Sequence, residues 1–194
     1  MYKLNKRSSI LLTLGVVFIL ASWVLSFSFG YALKDYFIKP RDGFLLGQSV
    51  ETYFVMIVAF VLCGISLILY SLENLSKNKK QWLGLPLLIV SLVLFFIAYD
   101  SYYYADKRII ANNDLLSFEK QEYRWSEIKK MEKIYHVIEG GSEKAVAIVM
   151  YPKNGEKPIK IEWSDYIFYT QYRLESLVRD HGGEVKTVII DTRK

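Results

Sequence analysis

Catalysis would need a nucleophile, an acid-base pair or a metal cluster, so the two histidines and one cysteine of this chain come first. His136 falls in the run Lys130 to Ile138, where Ile134, His136 and Ile138 share one face of a strand. That spacing predicts a core-facing imidazole rather than a reacting one. His181 directly precedes Gly182-Gly183, where an imidazole can reach the last carbonyls of a helix. Cys63 sits inside an apolar segment and has no second cysteine, which excludes an intrachain disulfide and reads as packing. Glu139 and Glu143 flank Gly140-Gly141, which reads as a turn with solvated acids beside it. The chain has no HExxH, CxxC or GxSxG motif and no phosphate-cradling glycine loop. The expectation is therefore no catalytic residue, no metal and no cofactor. Lys129, Lys130 and Lys133 come nearest to a headgroup-binding cluster, but Glu127 and Glu132 offset them.

The elements that must carry these residues divide the chain near Asp100. Residues 1–99 hold nine of the 25 basic residues but only four of the 20 acids (Asp35, Asp42, Glu51, Glu73), and the remainder is balanced. The overall charge of +5 thus belongs to the flanks of apolar segments, not to a basic domain. This excludes the usual electrostatic footprint of a nucleic-acid binder.

Three runs are long enough to cross a bilayer, for which about 20 apolar residues are needed. Ser9 to Gly30 carries no charge, Tyr53 to Ser71 lies between Glu51 and Glu73, and Trp82 to Tyr99 has Pro86 near its start. Spans over about 9–30, 53–71 and 82–99 follow, within a membrane region 1–99. Trp82 at one end and Tyr99, Tyr102, Tyr103 and Tyr104 at the other resemble an interfacial belt. Ser22, Ser26 and Gly30 repeat every four residues and predict a helix-helix contact face. The Gly30-x-Ala32 pattern resembles a signal cleavage site, but the apolar run before it exceeds a signal core of about 7–15 residues, so it reads as a span. Lys3, Lys6, Arg7, Lys77, Lys79 and Lys80 outnumber Lys34, Lys39, Arg41, Lys107 and Arg108 by one. By the positive-inside rule the expectation is a plasma-membrane protein with a cytoplasmic N-terminus and an extracytoplasmic C-terminal domain.

Residues 100–194 suffice for one small α+β domain. Tyr102 to Ala111 and Leu115 to Trp125 read as strands separated by Asn112-Asn113-Asp114. Lys130 to Ile138 reads as the third. Ala145 to Tyr151 and Ile159 to Trp163 form a hairpin through Asn154-Gly155, with Ile159, Ile161 and Trp163 alternating against Lys160 and Glu162. Ser164 caps a helix whose Ile167, Gln171, Leu174 and Val178 share one face and which stops at Gly182-Gly183. Val185 to Ile190 is β-branched and predicts an edge strand.

This order, with Tyr104 leading through a polar turn to Arg108-Ile109-Ile110 and with Trp125-Ser126-Glu127-Ile128 before the third strand, resembles the bacterial PH-like domains attached to membrane helices. The resemblance covers about half the chain, and the run after the helix departs from it, since such domains end on the helix. It implies an antiparallel sheet or partial barrel closed by one C-terminal helix, a binding role, and a cytoplasmic location that conflicts with the charge count. Three readings of function follow. The leading one is a non-enzymatic adaptor or scaffold whose domain binds a protein partner, or with less support a lipid headgroup. The others are an accessory subunit of a larger membrane complex, joined through Ser22, Ser26 and Gly30, and an enzyme without a recognisable motif, in which His136 would meet two carboxylates.

Overall fold

The computed structural model describes residues 5–72, 76–117, 119–138 and 141–191. Lys3, Glu73, Glu139 and Gly140 lie outside the described residues. The chain forms two compact units: Met1–Ile38 with Val50–Ser101, and Lys39–Ser49 with Tyr102–Lys194.

The first unit is helical: α1 (Lys6–Leu20), α2 (Ser22–Phe37), α3 (Val50–Ser71) and α4 (Lys77–Asp100). Two helical stretches, Val50–Ser71 and Trp82–Asp100, are long and apolar enough to cross a membrane, and α1 with α2 makes a third if the pair is one span. The uninterrupted helix expected over Ser9–Gly30 is corrected. It breaks at Ala21, whose φ of −90° and ψ of 1° leave the helical region, and the two halves meet at a 77° bend. The Ser26 hydroxyl donates to the Ser22 carbonyl at 2.7 Å, a back-bond of the kind that bends helices. A second correction concerns Pro86, which lies well inside α4 because that helix begins at Lys77, after the N-cap Ser76.

Glycine lets α1 meet α3 at backbone distance. A Cβ on Gly15 would stand 2.7 Å from the Gly64 carbonyl oxygen, and one on Gly64 would stand 2.6 Å from that of Gly15 and 2.7 Å from Ile19. Phe18 stacks on Phe60 at 5.9 Å, so ascending α1 means descending α3. The same sense continues in α2, where Phe27 stacks on Tyr53 at 5.9 Å. Hydroxyls tie α4 to α3: Ser66 donates to the Gly84 carbonyl and Ser91 to that of Ala59, both at 2.8 Å. Such bonds satisfy polar groups where no water is at hand.

The second unit takes in Lys39–Ser49, a segment the sequence reading left in the membrane region. It supplies β1 (Leu45–Gly47), which joins β2 (Tyr102–Ala105), β3 (Ile109–Asn113) and β4 (Gln121–Arg124) in an antiparallel sheet of order β1-β2-β3-β4. The single strand expected over Tyr102–Ala111 is thus a hairpin turned at Asp106–Arg108. Asn112 and Asn113 belong to β3, and the turn that follows starts at Asp114, whose carbonyl accepts from the Ser117 N–H. Of Leu115–Trp125 only Gln121–Arg124 is strand, after which Trp125–Glu127 forms one 3₁₀ turn.

The second sheet has order β7-β6-β5-β8, from β5 (Ile128–Val137), β6 (Glu143–Pro152), β7 (Ile159–Glu162) and β8 (Glu184–Asp191), with α5 (Asp165–Asp180) between β7 and β8. The wholly antiparallel sheet expected is corrected here: β8 runs parallel to β5, because α5 carries the chain back across the sheet before the last strand begins. The predicted hairpin is present, with Gly155 at a φ of +77°. Ser164 caps α5, accepting from the Ile167 N–H, and Ile167, Gln171, Leu174 and Val178 are its buried face. Ile167, Leu174 and Val178 share a core with Leu45, Trp125, Ile128, Met131, Ile148, Met150, Ile159 and Ile161.

Candidate functional site

The residues singled out by sequence do not assemble into a site. Ser22, Ser26 and Gly30 are buried within the helical unit together with Lys34, four residues further on. The Lys34 side chain turns inward: its Nζ donates to the carbonyls of Ala98 at 3.0 Å and Ser101 at 2.5 Å, which caps the C-terminal end of α4. His136 is half-buried on the face of β5 opposite Met131. The expected inward face is reversed: a bulge between Ile128 and Lys130 lets both Ile128 and Met131 face the core, and alternation from Met131, which pairs with the core residue Met150, puts Ile134 and His136 on the other face. His181 does reach a late carbonyl, its Nδ1 lying 2.8 Å from Leu177 O.

Two of the three lysines of β5 are paired. Lys130 pairs with Glu132 at 2.7 Å and lies over the Tyr151 ring, while Lys133 pairs with Glu175 of α5 at 2.8 Å. The hydrogen bond from Lys130 holds the Glu132 carboxyl below its usual range, helped by the Tyr151 hydroxyl. Glu127 contributes elsewhere, accepting from the Arg124 N–H at 2.7 Å.

A cleft of about 700 Å³ instead opens at one end of the first sheet. It is lined by Pro40, Arg41 and Asp42, by the β2–β3 turn Asp106–Ile109, and by Glu122 and Arg124 of β4. Each wall is held locally. Gly43 N–H donates to the Pro40 carbonyl at 2.8 Å and Phe44 N–H to that of Ala105 at 3.0 Å, which brings the first wall against the end of β2. Asp106 Oδ1 accepts from the N–H groups of Arg108 at 2.7 Å and Ile109 at 2.8 Å, an Asx turn. Beneath the turn lies the fully buried Trp125, whose indole N–H donates to the Asp106 carbonyl at 3.0 Å. Arg124 stands opposite Ile109 in the ladder, which brings its side chain to the same rim.

The charges of the cleft are unequally engaged. Asp106 is occupied by two backbone donors, and Glu122 pairs with Lys120 at 2.6 Å. Arg41, Lys107, Arg108 and Arg124 make no ion pair among the described residues. The other described arginines of this unit are both engaged: Arg173 lies 4.1 Å from the centre of the Phe44 ring, and Arg179 is 3.9 Å from Glu175. Three planar guanidinium forks and one ammonium around one opening form a receptor for anions. In the sequence Arg41 and Lys107 count only as flanking charge, and Arg108 as flanking charge and as the opening of a strand. The readable signs were Pro40-Arg41-Asp42-Gly43, a turn, and the polar Asp106-Lys107-Arg108 between two apolar runs. Comparisons of the chain with protein-family models, with curated proteins and with solved structures find no match.

Proposed function

We propose that this chain is a multi-pass membrane protein that presents a small PH-like binding domain, acting as a non-enzymatic adaptor. The observation that carries this reading is the cation-lined cleft: a receptor for anions built on exposed strand ends and turns, in a domain attached to apolar helices at two places. Ser101 alone separates α4 from β2, and the connection between α2 and α3 supplies β1. Both attachments lead into one sheet. A domain so attached recruits what it binds to the membrane.

Three crossings are supported by the contacts of the bent pair. Gly15 meets Gly64 and Ile68 near the C-terminal half of α3, Phe27 meets Tyr53 near its start, and Lys34 meets the end of α4. The pair therefore follows α3 for most of its length in the opposite direction, as one broken span does. The N-terminus and the domain then lie on opposite sides, and the one-cation margin favours a cytoplasmic N-terminus.

A photo-crosslinking amino acid placed at Arg124, and separately at Lys160 on the exposed side of β7, tests the reading in the full chain. Adducts of one discrete mass from position 124 and none from 160 are expected. Equal adducts from both positions, or none from either, would remove the adaptor.

A further inference from the structure

We propose that the cleft between Pro40–Asp42, the Asp106–Ile109 turn and β4 binds a phosphate monoester, with the guanidinium groups of Arg41, Arg108 and Arg124 and the ammonium of Lys107 as its ligands. This names the chemistry of the site on which the binding-module reading above rests.

Among the described residues five lysines of this unit are in ion pairs: Lys120 with Glu122, Lys130 with Glu132, Lys133 with Glu175 and Lys186 with Glu184, each within 2.6 to 2.8 Å, and Lys157 with Asp114. With Arg173 over the Phe44 ring and Arg179 beside Glu175, arginine, which carries a planar fork suited to two oxygens at once, is left without either kind of partner at three described places. All three line this cleft. They come from three separate stretches of chain, so no local helix or turn propensity accounts for the grouping.

The ligand's charge and shape follow. Of the three acids at the rim, Glu122 is paired with Lys120, while Asp106 keeps its charge as it accepts from two backbone donors, so Asp42 and Asp106 oppose four cations and an excess of two positive charges remains. A monocarboxylate brings one charge and two oxygens. A phosphate monoester brings a charge of about −1.5 to −2 and three acceptor oxygens, enough for a fork from each arginine. The volume, about 700 Å³, lies in the range of small-molecule sites and exceeds what a bare phosphate needs, so the group esterified to the phosphate enters as well. Apolar lining is limited to Pro40 and Ile109 with the stems of the cationic side chains, and that group is accordingly polar.

Two sources could supply this chemistry, a soluble monoester or the headgroup of phosphatidic acid, and the test separates them. The full chain is reconstituted in phosphatidylcholine nanodiscs and titrated calorimetrically with glycerol 3-phosphate, with acetate and sulfate as controls. In parallel, native mass spectrometry compares retention of phosphatidic acid with that of phosphatidylglycerol, a diester. The expected result is either a Kd below about 1 mM for glycerol 3-phosphate or preferential retention of phosphatidic acid, with a loss of at least about tenfold in the triple variant R41Q/R108Q/R124Q. Lys144→Gln with Lys160→Gln serves as the control that keeps binding. These side chains are all exposed, and unfolding temperatures of parent and variants check that the fold is intact.

Binding in the first arm identifies a soluble ligand, and binding in the second a lipid. Absence from both arms, equal binding of acetate or sulfate, or binding that survives in the triple variant overturns the proposal. Crosslinked partners without phosphate binding would remove the ligand class and keep the adaptor; phosphate binding without partners would do the reverse.

Discussion

Trp125 shows how one side chain supports a site it does not line. Its ring fills the core, and its single polar atom spends its hydrogen bond on the carbonyl of Asp106, the residue that organises the β2–β3 turn. Trp125→Phe keeps most of the bulk and leaves that carbonyl without its donor, at a cost of about 1–2 kcal/mol. Trp125→Ala opens a cavity and costs about 3–5 kcal/mol. Urea unfolding of the full chain measures both, and the phenylalanine variant should also weaken glycerol 3-phosphate binding although the ring touches no ligand. Glu132 gives a prediction of a different kind. Its carboxyl is held below the ordinary glutamate range by the hydrogen bond from Lys130, so the pair's contribution is present above that range and is lost as pH falls through the lower folded pKa. A surface pair contributes about 0–1 kcal/mol. The urea midpoint should fall on acidification, and Glu132→Gln should show a shallower fall.

Among the elements, the break at Ala21 and the crossing at Gly15 and Gly64 decide how the helical unit packs. Valine at either glycine puts methyl groups where a carbonyl oxygen already stands within 2.7 Å. Backbone on both sides leaves little room for adjustment, so Gly15→Val and Gly64→Val should each cost on the order of 1–3 kcal/mol. Valine substituted at Leu20, which is exposed at the end of α1, is the comparison. A detergent-solubilised thermal scan that ranked Leu20→Val with the two glycine variants would defeat this packing account. The small-residue repeat Ser22, Ser26 and Gly30 was visible in the sequence and is indeed buried; the glycine pair that sets the α1–α3 approach was not, because its members are 49 positions apart with no shared period. The β6–β7 hairpin and α5 were legible for the opposite reason: periods of 2 and 3.6 and a glycine turn are local. β1 has three residues and no alternation, so only its partner β2 makes it a strand. The inward face of β5 is not legible because a bulge between Ile128 and Lys130 shifts the alternation by one position, which exchanges the two faces. The cleft stayed hidden for a related reason, since its walls come from residues 40–42, 106–109 and 122–124 and only the sheet brings them together.

For the whole molecule, the two attachments between apolar helices and the mixed-sheet domain make a prediction that does not depend on which side faces the cytoplasm. β1 and β2 are neighbours in one sheet, so the chain leaving α2 and the chain leaving α4 must emerge on the same side. If α1 and α2 are one broken span, Asn5 emerges on the other side, together with Ser76 between α3 and α4. If the bend instead returned the chain to its side of entry, Asn5 would share a side with the domain. Single cysteines at Asn5, Ser76, Asp42 and Glu156 in a Cys63→Ser background separate the cases when sealed cells are labelled with an impermeant maleimide. Asn5 and Ser76 should behave alike and opposite to Asp42 and Glu156. Labelling of Asn5 together with Asp42 would reduce the crossings to two and raise the cations on the domain's side to eight (Lys3, Lys6, Arg7, Lys34, Lys39, Arg41, Lys107, Arg108) against three for the α3–α4 connection. Such an imbalance would place the domain in the cytoplasm by the positive-inside rule, where the resemblance to PH-like domains points. The side of the domain therefore turns on one bend at Ala21, and the Asn5 cysteine is the position that reads it.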